Sequence, residues 1–155
     1  MRQPVVMPIA IVAAFVAGLT ASPFGQRMLP AAHAEAAPLA PAVYDLTGMA
    51  SADLPSTPNP DMRSRPLVVT DNATIAIQAG NAPKHYHAKS DEIQYIIEGT
   101  GQMWLGNERR DIKPGTLIVI PKGTAHSGTI VTSGPIKAIA IKIPPQANGD
   151  VVVVQ

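Results

Sequence analysis

From Pro66 onward the chain is a succession of short runs rich in Val, Ile and Thr, each cut off by turn-forming residues. The runs are Leu67–Thr70, Thr74–Gln78, Ile93–Glu98, Gln102–Leu105, Thr116–Ile120, Ile136–Ile143 and Val151–Val154. Between them stand Asp71-Asn72, Gly80-Asn81, Gly106-Asn107, Pro114-Gly115, Pro121-Lys122-Gly123 and Ser133-Gly134-Pro135. Branched side chains suit a half-buried pleated surface, and Gly, Asn and Pro supply the backbone conformations of tight turns. Evenly spaced strands of this kind, with no helical period over ten or more residues, predict an all-β sandwich or barrel. The predicted barrel domain is 66–155, and a chain of 155 residues has material for one core.

The residues ahead of it have a different texture. Residues 35–65 are rich in Ala and Pro and hold no sustained period, which predicts an extended arm with one short strand around Val43–Met49. A disordered linker is the alternative. Residues 1–34 form the expected signal peptide: Arg2, the uncharged apolar run Ile9–Leu19, and the small-x-small signature Ala32-His33-Ala34, with the mature chain starting at Glu35. A retained N-terminal anchor is the competing reading. Against it, Val5–Leu19 spans only 15 residues and carries Pro8, where a spanning helix needs about 20. The expected location is periplasmic or secreted, with membrane association only if the leader is kept.

Charged residues make up 15% of the chain and the formal net charge is +1, without the clustered Lys and Arg of a nucleic-acid surface. Cysteine is absent, so any metal must be held by His, carboxylate or water.

Downstream of the leader only His85, His87 and His126 remain. In a strand, residues two apart share a face, so the imidazoles of His85-Tyr86-His87 reach toward a common point. A hairpin at Ala88-Lys89-Ser90-Asp91 is expected to bring Glu92 back beside them. His126 directly follows the turn Pro121-Lys122-Gly123. Imidazole nitrogen with carboxylate oxygen suits Fe, Mn, Ni, Cu or Zn rather than calcium.

These residues carry a resemblance to the cupin superfamily. Its first motif, G-x5-H-x-H-x3-4-E-x6-G, is matched by Gly80, His85, His87, Glu92 and Gly99. Its second, G-x5-P-x-G-x2-H-x3-N, is matched by Gly115, Pro121, Gly123 and His126. Two positions depart: Gly80 lies one residue too close to His85, and Ile130 stands where the motif has Asn. The resemblance implies a single-domain double-stranded β-helix, or jelly-roll barrel, with one divalent metal ion held by His85, His87, Glu92 and His126. It also implies a metal-dependent oxygenase, decarboxylase or isomerase acting on a small oxygen-rich organic molecule, with Glu92 in the catalytic centre. A non-catalytic cupin that binds or senses a small ligand is the alternative, because no titratable group beyond the ligands stands out. Alternation from Glu92 turns Gln94 and Ile96 inward as pocket residues, with Ile130 and Ile139 or Ile141 adding apolar wall. Lys137 and Lys142 differ in parity, so only one can face inward. Cupins commonly pair through edge strands and N-terminal arms, so a homodimer is expected.

Overall fold

The computed structural model describes residues 38–154. The expected leader, its apolar run, its cleavage signature and the first residues of the arm lie outside them. Among the described residues no helix is long and apolar enough to cross a membrane.

Here the chain is all-β. After a short 3-10 turn at Ser51–Asp53 come β1 (Met62–Val69), β2 (Thr74–Gly80), β3 (His85–His87), β4 (Asp91–Leu105), β5 (Glu108–Ile112), β6 (Leu117–Ile120), β7 (His126–Ile143) and β8 (Val151–Val153). All pairings are antiparallel. β4 and β7 are long enough to serve two layers. One layer runs β1-β2-β7-β4-β6, using the later half of β7 and the earlier half of β4. The other runs β8-β3-β7-β4-β5, using their remaining halves. This is the double-stranded β-helix that the motifs imply.

The corner between the layers explains why two expected strand breaks are bends. Gly99 has φ +82, and a Cβ there would fall 2.4 Å from the Pro135 carbonyl oxygen, so only glycine lets β4 press against β7. The β4–β7 register slips repeatedly from Ile96 to Gly101, and once more between Gln102 and Trp104, while the two strands stay paired. Ser133-Gly134-Pro135 likewise lies inside β7. Turn-forming residues mark both a chain reversal and a bulge, and the ladder beyond them decides which occurs.

Two expectations for the arm are corrected. No strand forms at Val43–Met49: the Asp45 carboxylate accepts the Gly48 N–H at 3.0 Å and the Thr47 hydroxyl at 2.8 Å, closing a turn. These same bonds lower the Asp45 pKa. The first barrel strand begins at Met62, ahead of Pro66, which sits inside it. β1 ends its layer, so the missing N–H of Pro66 costs no ladder bond, and the register shifts just beyond it.

Two apolar clusters hold the layers. Ile96, Met103, Ile112, Ile118, Ile120, Ile136 and Ala138 fill the interior. A second cluster lies on the outer face of the first layer, where Leu54, Leu46 and Met49 of the arm cover Ile77, Ala79, Ile97 and Ile139. Each fully buried aliphatic side chain contributes roughly 1.5–3 kcal/mol. The arm is thus packed structure rather than a linker from Leu46 to Leu54.

Candidate metal centre

β3 is three residues long, and its outer two, His85 and His87, are buried on one face. β3 pairs with β7 through His85 opposite His126, so the ladder register delivers the third imidazole. Glu92 arrives by a route the sequence did not suggest. The expected hairpin does not form, because β3 pairs with β7 and β8 while β4 pairs with β5, β6 and β7. Residues 88–90 instead carry the chain from one layer to the other, and Glu92 meets the histidines across the interior. The Gly123 N–H donates to the His87 carbonyl at 2.7 Å, tying the turn ahead of His126 to β3.

One potential ligand atom from each of His85, His87, Glu92 and His126 lies within 4.8 Å of the others, and all four residues are buried. Each ring is oriented through Nδ1. His85 Nδ1 donates to the Pro83 carbonyl at 2.8 Å, His126 Nδ1 to the Thr124 carbonyl at 2.9 Å, and His87 Nδ1 to the Asp150 carboxylate at 3.0 Å. Those acceptors have no proton to give, so each neutral ring carries its proton on Nδ1 and its lone pair on Nε2. Glu92 Oε2 lies 2.9 Å from His87 Nε2 and 3.1 Å from His126 Nε2. The approach of His87 is out of line for a hydrogen bond, which leaves its buried Nε2 without a partner. Lone pairs set about 3 Å from a carboxylate oxygen repel unless a ring is protonated or a cation stands among them. The donor set therefore fits a metal ion: three oriented imidazoles, one carboxylate, and a buried nitrogen otherwise unsatisfied.

The electrostatics agree. Burial lowers the His85 pKa to about 4 against the opposing Pro83 hydrogen bond, with His126 and His87 adding to the fall, so this ring is neutral at ordinary pH. Burial pushes Glu92 up, but the contacts from His126 and His87, the Lys142 charge and the Gln94 amide outweigh it and hold the carboxyl well below its usual range. Asp150 is similar: burial raises its pKa, and the Lys89 N–H at 2.5 Å and the neighbouring His87 bring it below the ordinary value.

The site opens on a cavity of about 480 Å³. Gln94 lines it, and its Nε2 donates to Glu92 Oε1 at 3.0 Å. Two expected pocket residues are elsewhere. Ile96 faces inward but is packed in the core, 1% exposed, because Met103, Ile112 and Ile118 fill the space in front of it. Ile130 is 54% exposed on the first half of β7, past a change of register that turns its side chain outward. Nor do Ile139 and Ile141 form apolar wall: the inward residues of that stretch are Ala138, Ala140 and Lys142, and Ile139 packs under the arm. Asp150 and Lys142 were missed as site residues. Asp150 lies outside both motifs, and only the parity of Lys142 against Lys137 gave a signal. Thr57, Asn59, Met62 and Ser64, four residues ahead of the expected barrel boundary, also line the cavity.

The cupin domain family matches residues 73–142. An uncharacterised protein of Methanocaldococcus jannaschii is 39% identical over 66 residues, 43% of this chain and 53% of that protein, so the chain spans about half the length of this relative. Acireductone dioxygenase of Rhodopseudomonas palustris is 34% identical over 122 residues, covering 73% of this chain and 71% of the enzyme. Among solved structures, Streptomyces Pac13 with uridine superimposes with a TM-score of 0.56 at 15% identity, over 68% of this chain and 88% of Pac13. A double-stranded β-helix protein from Klebsiella pneumoniae gives 0.55 at 13% identity, over 69% and 96%. The chain belongs to the cupin superfamily. It carries a buried His/Glu cluster able to bind a metal ion.

Proposed function

We propose that this is an exported cupin holding one divalent metal ion (Fe, Mn, Ni, Cu or Zn) in oxygenase or decarboxylase chemistry on a small oxygen-rich organic molecule. The observation that carries the reading is the convergence of three Nε2 lone pairs and the Glu92 carboxylate at the floor of an open cavity. Such an ion, when bound, polarises an oxygen-bearing substrate and, if redox-active, brings dioxygen chemistry within reach. Three imidazoles and a carboxylate leave about two positions of a six-coordinate ion free, the arrangement of a reactive site rather than a closed structural one.

The chain's own residues supply the rest. The Nδ1 anchors hold the rings in place, and Gln94 fixes the Glu92 carboxylate through Oε1, leaving Oε2 toward the histidines. Met103, Ile112, Ile136 and Ala138 of the apolar interior form part of the cavity wall beside the ligands. The likeness to acireductone dioxygenase, which extends over most of both chains, supports oxygen chemistry. Lys142 brings a charged group beyond the ligands into the cavity.

Elemental analysis of the protein recovered from the exported fraction tests this, with His85→Ala and His126→Ala alongside. Near-stoichiometric metal in the wild type and its loss in both variants is the expected result. A wild type that takes up no metal even on reconstitution removes the enzyme reading.

A further inference from the structure

We infer that the cavity takes a small organic anion and that Lys142 binds its negative charge. Lys142 lies on β7 in the inward series with Ala138 and Ala140, whose short side chains leave space that the lysine enters. Among the described residues only Glu92 and Lys142 bring charge to the cavity lining. The Lys142 side chain is 13% exposed, and its Nζ sits 3.9 Å from Glu92 Oε1, an ion pair beyond hydrogen-bond distance to an oxygen that already accepts from Gln94. Among the described residues Nζ donates no hydrogen bond, and the side chain lines the cavity. Gln78 and Gln94 add neutral amides to the same wall.

Charge balance then selects the ligand. Three neutral imidazoles contribute nothing, so a divalent ion and one ammonium against the Glu92 carboxylate and the buried Asp150 carboxylate behind His87 still leave the centre positive. A neutral ligand would cover Lys142 with only the Glu92 carboxylate, already committed to the ion, as counter-charge, which is costly in a shielded site. A carboxylate or enolate with one oxygen toward the histidines and another at Lys142 satisfies both. This substrate class rests on the metal reading for part of its force, whereas the lysine contact does not.

The test uses glycolate and its uncharged isostere glycolamide, titrated calorimetrically into the cobalt-loaded protein and into the metal-free protein. Wild type, Lys142→Gln and Lys142→Arg are compared, with the cobalt absorption spectrum as a separate readout of the metal site. Lys142→Gln is expected to weaken glycolate by about 10- to 100-fold, the range of one charge-assisted hydrogen bond. Glycolamide affinity and the cobalt spectrum should not change, and Lys142→Arg should recover part of the loss. Equal glycolate affinity in wild type and Lys142→Gln overturns the assignment while an intact cobalt spectrum leaves the metal centre standing. A wild type that takes up no cobalt overturns the metal centre instead, and the metal-free titration then decides Lys142 by the same comparison.

Discussion

Asp150 shows how much of the centre depends on a residue that coordinates nothing. Fully buried, it accepts from His87 Nδ1 with one oxygen and from the Lys89 N–H with the other. It thereby fixes both the tautomer and the tilt of His87. Asp150→Asn should lower metal affinity by about 10- to 100-fold, measured by competition with a chelator, while the melting temperature of the metal-free form changes little by comparison. His85 sets a second expectation. Its pKa is about 4 in the fold and 6.5 in the unfolded chain, so between those values the unfolded chain binds a proton that the folded one refuses. Stability from this residue is complete above pH 6.5 and is lost as the pH falls to about 4. Denaturant titrations of the metal-free protein across that window should show the decline, and His85→Asn should flatten it. An equally steep decline in the variant would assign the effect elsewhere.

At the scale of elements, the arm and β7 are joined by a buried lysine. Lys137 is 1% exposed on the outer parity of β7; its Nζ pairs with Glu98 and donates to the carbonyls of Met49 at 3.0 Å and Thr47 at 3.4 Å. Those carbonyls belong to the turn that Asp45 closes, so one ammonium holds the arm on the sheet while Leu46, Met49 and Leu54 seal it. Lys137→Ala strips two carbonyls and a carboxylate of their donor. It should cost roughly 2–4 kcal/mol and expose residues 45–55 to limited proteolysis before the barrel unfolds. Because Thr57 and Asn59, further along the same arm, line the cavity, the same variant should weaken ligand binding without releasing metal.

At the scale of the whole molecule, an apolar region at the β4–β6 edge of the first layer is exposed among the described residues. Tyr95 pairs with Leu117 and Ile93 with Val119 across β4 and β6, and Tyr95, Leu117 and Val119 are exposed. The sequence expectation is a homodimer through edge strands and the arm; we propose this face at the β6 edge as its interface. The wild type should then have a dimeric mass at micromolar concentration and the Leu117→Glu, Val119→Glu double variant a monomeric one. A monomeric wild type would discard the dimer. Much was legible without coordinates because it is periodic or local. Branched runs with turn residues announce strands, and an alternation of two puts His85 with His87 and turns Glu92 and Gln94 the same way. The spacing of glycines, prolines and histidines then carries the family. What the linear order hides is pairing between distant segments. Whether Gly99 ends a strand or bends it depends on the Pro135 carbonyl against which it packs. Asp150 reaches His87 only because β8 pairs with β3, and Lys142 faces the cavity because β7 is shared between two layers. Backbone hydrogen bonds between remote strands set these contacts, and local side-chain preference does not specify which strands will meet.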